Sequence, residues 1–347
     1  MSPIDSRLAR LQKKLKEKKL DAFLNWEPHN VEYLTGSEVE GKILFTGKEK
    51  FFVTTPLFAE EARLTLKDWQ IVIIQRDSFP AALSRICKKF PERKIGFEAS
   101  HLSYEEYCKL SKIKGVGFVP CSQLVEKLRE VKDEKELSLI KEAHTITEAA
   151  FDHAEELLES GITEKELSAE IMYFLRKSAD SEAFPPIVLF GERTSLPHGR
   201  PTQRKLGENE LVLLDLGAKV GGYCSDITKT IFFGEVDQKW YQIRDLISKI
   251  QKEAVEKINP GVPCSQIDRL VRKRLKEAGY LNSFLHNSGH GVGLEVHEQP
   301  VIGPKSKKIL KRGMVIALEP GVYLPGEGGM RRELMVMVTN GGGKILR

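Results

Sequence analysis

The hydrophobic pattern of this chain changes near residue 122, and this change divides the chain into two parts. Before it, short apolar runs with strand character alternate with helical segments, such as the strands Lys42–Phe45 and Lys50–Thr54 and the helix Phe79–Lys89. Strands that alternate with helices are typical of an α/β layer domain. We therefore predict a smaller N-terminal α/β domain over residues 1–122 of the 347-residue chain.

The second part, residues 123–347, begins with a long charged helical stretch and then mixes helices with strands. Thr163 and Glu166 form the pattern of a capping box, which predicts the start of a helix. Further helices are predicted over Gln238–Ile258 and Cys264–Ala278, and strands over Ile187–Phe190, Leu211–Leu216, Tyr223–Phe233, Met314–Leu318 and Leu334–Thr339. This mixture indicates an α+β domain with strands in antiparallel hairpins and helices on one side.

Charge, apolar runs and cysteines exclude several classes of protein. The net charge of +5 is small and scattered, which gives no case for nucleic acid or an anionic membrane surface as a partner. Apolar runs such as Leu211–Leu214 fall far short of the roughly 20 residues that span a bilayer. Five cysteines without CxxC spacing support neither a disulfide framework nor structural zinc. We predict a reduced, cytoplasmic protein.

Two carboxylates lie in strand-like segments. Asp215 interrupts the apolar run Leu211–Leu216, and a lone buried carboxylate costs several kcal/mol unless it is paired or bound to a metal. Asp226 lies in the next β-prone stretch, and a hairpin through Gly217–Gly222 would bring both acids to one place. An Asp beside a turn can equally serve as a cap or turn former, and for either Asp alone that alternative stays open.

Three of the eight histidines, His286, His290 and His297, lie within twelve residues, and two more acids, Glu319 and Glu333, lie at strand ends. Glycines beside His290 allow close backbone approach, and neutral imidazole binds first-row divalent metals. Four carboxylates with one imidazole favour Mn, Co, Fe or Zn over a thiolate zinc site. Two divalent ions would balance the four negative charges, and such pairs of metals typically catalyse hydrolysis.

In chain order, Asp215, Asp226, His290, Glu319 and Glu333 resemble the dinuclear metal site of the pita-bread metallopeptidases, among them prolidase, aminopeptidase P and methionine aminopeptidase. The matching stretches are SLPHG (195–199), LLDLGAKVGGYCSDITKT (213–230), HNSGHGVGLEVHEQP (286–300) and ALEPGVYLPGEGGMRRE (317–333). The resemblance implies a pita-bread catalytic domain over residues 123–347 and a creatinase-like N-terminal domain over residues 1–122. Methionine aminopeptidases generally lack that second domain, so the proline-directed branch is favoured.

The resemblance implies two divalent metal ions per subunit, Mn²⁺ or Co²⁺ before Zn²⁺ or Fe²⁺. Asp215 would hold one ion, His290 and Glu319 would hold the other, and Asp226 and Glu333 would bridge the two. Glu319 would also take the proton from the attacking water and pass it to the leaving nitrogen.

The resemblance further implies a set of residues around the substrate. His198 and His297 would be catalytic residues at the substrate carbonyl and on the departing proline side. His286, Tyr323 and Arg331 would line the substrate site. Arg331 would either bind the substrate carboxylate or tether the site.

Enzymes that cleave the peptide bond before proline act on a tertiary amide. The nitrogen of this bond carries no N–H that could align the substrate. Our first interpretation is a prolidase that cleaves Xaa-Pro dipeptides, because the chain length and the compact N-terminal part resemble microbial prolidases. Aminopeptidase P, which acts on longer peptides, and an inactive binding module of the same fold are the alternatives. The predicted partners are proline-containing dipeptides or short peptides, with no nucleic acid and no membrane, and the predicted assembly is a homodimer.

Overall fold

A six-stranded mixed sheet forms the centre of the first of two units in the computed structural model of this chain, which describes residues 2–75, 78–89 and 93–346. The units are Met1–Arg129 and Glu130–Arg347, whereas the sequence analysis placed the boundary between residues 122 and 123. Contacts keep the intervening residues with the first unit. Arg129 donates a hydrogen bond to Asn30 (2.8 Å), and the carbonyl of Leu128 accepts one from Arg10 (2.8 Å).

The first unit alternates strands and helices. Its strands are β1 (Ala22–Asn25), β2 (Lys42–Phe45), β3 (Lys50–Thr54), β4 (Gln70–Ile73), β5 (Arg93–Glu98) and β6 (Val116–Cys121). Its helices are α1 (Pro3–Glu17), α2 (Pro28–Thr35), α3 (Ala59–Thr65), α4 (Phe79–Cys87), α5 (Tyr104–Leu110) and α6 (Glu126–Arg129). The sheet order is β4-β3-β2-β1-β5-β6, with β1, β2 and β3 antiparallel and the outer pairs parallel.

The second unit combines four helices with antiparallel strands. Its helices are α7 (Glu134–Glu156), α8 (Glu164–Ser178), α9 (Gln238–Lys257) and α10 (Cys264–Glu277). Its strands are β7 (Ser181–Glu182), β8 (Ile187–Phe190), β9 (Glu210–Leu216), β10 (Ala218–Val220), β11 (Tyr223–Cys224), β12 (Ile227–Phe233), β13 (Gly289–Gly291), β14 (Glu298–Ile302), β15 (Val315–Leu318), β16 (Gly321–Leu324), β17 (Gly328–Arg331), β18 (Leu334–Thr339) and β19 (Gly342–Ile345). The five-stranded sheet has the order β14-β13-β15-β18-β19, and the two three-stranded sheets have the orders β12-β9-β8 and β11-β10-β7.

The second unit contains the same arrangement twice. Helices α7 and α8 share one apolar core with β8 and β9, and helices α9 and α10 share another with β15 and β18. Each helix pair turns at a glycine in the left-handed region, Gly161 (φ 97°) and Gly261 (φ 91°), where other residues are strained. Each glycine is soon followed by an isolated β-bridge, at Thr163 and at Pro263. The unit is therefore built from two similar helix pairs, each of which covers a sheet.

The hairpin between the two predicted acids forms, with a break inside the second predicted strand. Asp215 of β9 is paired with Thr228 of β12, as the hairpin requires. The continuous strand predicted over Tyr223–Phe233 is instead two strands, with Ser225 and Asp226 between β11 and β12. Among the described residues, every helix is too short or too polar to cross a lipid bilayer.

Candidate metal centre

The five predicted ligands converge in one cluster of the second unit. They are Asp215 on β9, Asp226 between β11 and β12, His290 on β13, Glu319 directly after β15, and Glu333 between β17 and β18. Ligand atoms lie within 4.8 Å of one another in three overlapping groups: Asp215, Asp226 and Glu333; His290, Glu319 and Glu333; Asp226, His290 and His297. The two acids on the hairpin are thus part of this cluster rather than simple turn formers.

His290 presents a nitrogen to three carboxylates. Its Nε2 atom lies 3.5 Å from Asp226 Oδ2 and 3.8 Å from both Glu319 Oε1 and Glu333 Oε1. Its Nδ1 atom lies 3.1 Å from the Gly291 carbonyl oxygen, which can only accept, so we assign the proton to Nδ1. Burial lowers the pKa of His290 to about 3, so the ring is neutral and its Nε2 lone pair faces the acids.

Glycines on both sides of His290 allow the strands to approach closely. A Cβ atom on Gly289 would lie 2.0 Å from the Ala317 carbonyl oxygen, and one on Gly291 would lie 2.3 Å from the Gln299 carbonyl oxygen. No side chain fits at these distances. Gly289 and Gly291 therefore set the position of β13 between its neighbours, and with it the position of His290.

The buried carboxylates repel one another. Burial, followed by the negative charges of neighbouring acids, raises the pKa of Asp226 and of Glu333 well above the usual range. Burial also raises the pKa of Glu319 to about 8. Among the described residues, Asp215 Oδ1 and Glu333 Oε1 are buried without a hydrogen-bond partner. Unpaired buried oxygens beside a neutral imidazole nitrogen fit divalent metal ions, which would compensate the negative charge.

Arg331 is buried beside this cluster, and its guanidinium donates hydrogen bonds to other groups of the protein. Its Nη2 donates to Asp215 Oδ2 at 2.6 Å, and its Nε donates to Thr228 Oγ1 at 3.0 Å. Its Nη1 donates to the Tyr323 hydroxyl at 2.8 Å and to the Pro197 carbonyl at 3.2 Å. Of the two roles that the sequence analysis left open for Arg331, these contacts favour tethering the site.

His286 is linked to Arg331 through Tyr323 and approaches Glu319 directly. The His286 Nε2 atom lies 2.8 Å from the Tyr323 hydroxyl, and its Nδ1 atom lies 2.8 Å from the Asn287 carbonyl and 3.5 Å from Glu319 Oε2. Burial raises the pKa of Tyr323 to about 12 and lowers the pKa of His286 to about 4. Neutral His286 therefore accepts from the Tyr323 hydroxyl, which in turn accepts from Arg331.

The remaining two predicted histidines are more exposed. The His297 ring lies 4.3 Å from the His290 ring, measured between centroids, and its pKa is lowered mainly by partial burial. His198 lies in an exposed turn, directly after Pro197, whose carbonyl contacts Arg331. After burial, the proximity of His198 is among the causes that lower the pKa of both His286 and His297, so His198 is near the same cluster.

Two polar residues that the sequence analysis did not select support the cluster. The Thr228 hydroxyl donates to Glu333 Oε2 at 2.7 Å. The Gln251 amide donates to the carbonyls of Leu318 (3.0 Å) and Arg332 (2.8 Å), which directly precede Glu319 and Glu333. Gln251 stands out in the sequence as a polar residue on the buried face of α9, and this signal would have identified it. Thr228 gives no such signal, because threonine is common in strands.

Residues 138–340 match the family described as metallopeptidase family M24, and residues 7–131 match the creatinase/prolidase N-terminal domain. The chain belongs to metallopeptidase family M24. The predicted pita-bread family and the predicted fold class, an α+β catalytic domain after a smaller α/β domain, are confirmed.

Similar proteins match this chain over nearly its full length. An Xaa-Pro dipeptidase of Pyrococcus furiosus is 33% identical over 98% of this chain and 97% of its own. A solved Xaa-Pro dipeptidase from Bacillus anthracis is 34% identical with a TM-score of 0.93, covering 99% of this chain and 97% of that one. An X-Pro aminopeptidase from Thermotoga maritima is 29% identical with a TM-score of 0.88, covering 96% and 97% respectively.

Proposed function

We propose that this protein is a prolidase, a metal-dependent hydrolase that cleaves Xaa-Pro dipeptides before proline. The observation that carries the proposal is the convergence of all five predicted ligands on one buried cluster with unpaired oxygens. The similarity to Xaa-Pro dipeptidases over nearly the whole chain supports the same substrate class.

In this proposal, the cluster would hold two divalent ions, with Mn²⁺ or Co²⁺ as the native metal. Asp215 would hold one ion, His290 and Glu319 would hold the other, and Asp226 and Glu333 would contribute to both. Asp226 and Glu333 each share one group of neighbouring ligand atoms with Asp215 and another with His290, which supports their assignment to both ions. When bound, divalent ions of this kind would lower the pKa of a water molecule and would polarise the carbonyl oxygen of the substrate.

The chain's own residues then move protons and orient the substrate. Glu319, whose carboxylate belongs to the ligand cluster, would accept the proton of the attacking water and return it to the proline nitrogen. His198 and His297 act at the substrate carbonyl and the proline side, and their exposure leaves them accessible to a peptide. His286 and Tyr323 line the substrate site, and Arg331 holds Asp215 and Tyr323 in place.

Aminopeptidase P activity on longer peptides is the second candidate, and the similarity to the Thermotoga maritima X-Pro aminopeptidase favours it. An inactive binding module is disfavoured, since the complete ligand set is present. The homodimer and the cytoplasmic location stay predictions of the sequence analysis.

The test is a paired hydrolysis assay. The protein is stripped with chelator, restored with Mn²⁺ or Co²⁺, and given Met-Pro beside Met-Pro-Ala. Cleavage of Met-Pro alone is the expected result for a prolidase, and efficient cleavage of Met-Pro-Ala would instead mean aminopeptidase P. Cleavage of neither peptide with either metal would contradict both proposals. The Glu319→Gln variant, prepared in parallel, controls for contaminating peptidases.

A further inference from the structure

We propose that Asp268 and Arg272, an ion pair on α10, are positioning residues that hold the segment from His286 to His290 in the metal centre. Neither residue belongs to the predicted site, and neither contacts the ligand cluster directly. The proposal deepens the function proposed above and rests on it for its kinetic part, whereas its metal-binding part can be tested without any peptide.

The ion pair holds the start of the segment. Asp268 is 0% exposed, and its Oδ2 accepts from Arg272 Nε at 2.9 Å. The same guanidinium donates through Nη2 to the carbonyl of His286 at 2.7 Å. Arginine can do both because its planar fork presents several donors in fixed directions, whereas lysine has a single ammonium on a flexible stem.

The second oxygen of Asp268 holds the middle of the segment. Asp268 Oδ1 accepts from the Ser288 hydroxyl at 2.8 Å. The carbonyl of Ser288 in turn accepts from the backbone N–H of Glu319 at 3.0 Å, and the N–H of Ser288 donates to the carbonyl of Ile302 at 2.8 Å. Asp268 is thus linked through one residue to the strand end that carries Glu319.

The Arg272 side chain is 27% exposed whereas Asp268 is fully buried, and the cost of burying this carboxylate argues that the pair has a specific role. The neighbours of Asp268 on the buried face of α10 include Ile267, Val271 and Leu275, all without exposed surface. Replacing a buried ion pair by packed apolar residues is often neutral or stabilising, so the pair is weak support for stability alone. Its hydrogen bonds instead run to the backbone and side chain of the segment that carries His290.

The test compares Arg272→Met, Asp268→Asn and the double variant D268N/R272M with the wild type. The control is Arg274→Met on the same helix, because the Arg274 side chain is 40% exposed and pairs only with Glu253 and Glu277 in the contacts described. Binding of Mn²⁺ to chelator-stripped protein is measured by titration calorimetry, thermal midpoints by circular dichroism, and kcat and KM with Met-Pro.

We expect Arg272→Met to weaken binding of Mn²⁺ roughly tenfold and to lower kcat more than it raises KM, since outer contacts of metal ligands typically have effects of this size. The double variant, which buries no unpaired charge, should regain thermal stability without regaining Mn²⁺ affinity. Arg274→Met should match the wild type. If Arg272→Met keeps wild-type Mn²⁺ affinity, or the double variant regains affinity and stability together, the pair is merely structural and the proposal is wrong. If the wild type binds Mn²⁺ but cleaves no Xaa-Pro peptide, the proposed function is contradicted. The Mn²⁺ affinities of the variants would still decide whether Asp268 and Arg272 position the metal centre.

Discussion

Arg331 is a buried cation beside buried acids, and it connects four segments of the chain. Its side chain contacts Asp215 on β9, Thr228 on β12, Tyr323 on β16 and the Pro197 carbonyl. Burying a carboxylate without a paired charge costs several kcal/mol, and Arg331 offsets that cost for Asp215. Its burial also separates it from solvent, so its role differs from that of a surface arginine.

Replacing Arg331 should therefore damage the centre more than replacing its neighbour. We expect Arg331→Met to lower kcat and Mn²⁺ affinity roughly 10–100-fold, because Asp215 loses the contact that orients it. Arg332→Met is the matched control, since Arg332 is exposed and its Nη1 contacts only Ser248 among the side chains described. Calorimetric Mn²⁺ titration and the Met-Pro assay give both quantities. Equal behaviour of the two variants would rule out the role given to Arg331.

Thr228 supports the centre through a single hydroxyl. That hydroxyl donates to Glu333 Oε2 and accepts from Arg331 Nε, so the isosteric Thr228→Val leaves a buried donor and a buried acceptor short of partners. We expect a loss of about 1–3 kcal/mol in the free energy of unfolding, together with weaker Mn²⁺ binding. Thr145→Val, at an exposed helix position, should change neither. Urea unfolding measures the free energy of unfolding, and a loss in Thr228→Val no larger than that in Thr145→Val would contradict the account.

At the scale of elements, apolar strands were predictable from the sequence and glycine-rich strands were not. The strands Ile187–Phe190 and Leu334–Thr339 are found where they were predicted, because their apolar runs follow strand patterns. The strands β13, β16 and β17 were missed, since glycines give no hydrophobic periodicity. Glycines in these strands instead allow neighbouring backbones to approach closely. A Cβ atom added to Gly329, for example, would lie 2.4 Å from the Thr194 carbonyl oxygen.

The close approach at β13 gives a prediction for Gly289→Ala. Its Cβ would collide with the Ala317 carbonyl, so β13 must move away from β15 and carry His290 with it. We expect a stability loss of at least about 1–3 kcal/mol and reduced Mn²⁺ affinity. Gly341→Ala is the control, because the nearest atom to its Cβ lies at 3.8 Å. Thermal unfolding with and without Mn²⁺ separates the two effects, and a Gly289→Ala protein as stable as Gly341→Ala would refute the argument.

At the scale of the whole molecule, the ligands of the centre could be predicted because they break local rules. A carboxylate within an apolar strand, such as Asp215, is unfavourable unless something compensates it, and the sequence displays that conflict. The residues that hold the ligand-bearing segments in place do not conflict in this way with the local sequence pattern. Gln251 and Asp268 lie on helices that pack against the sheet, and their partners are distant in sequence. The repeated helix pairs were missed for a similar reason, since their likeness lies in backbone geometry rather than in matching residues.

The charge of the centre makes the stability of the metal-free protein depend on pH. Glu319 has a folded pKa of about 8 against an ordinary value of 4.5, so the folded state holds a proton that the unfolded state releases. Its contribution is fully present below about pH 4.5 and is lost as the pH rises through 8. We expect the thermal midpoint of chelator-treated protein to fall between pH 5.5 and 8.5, and to fall less in Glu319→Gln. Mn²⁺ at 100 times its Kd should add about 2.7 kcal/mol for one site and offset the fall. A metal-free midpoint whose pH dependence is the same in Glu319→Gln would show that this carboxyl group does not titrate as described.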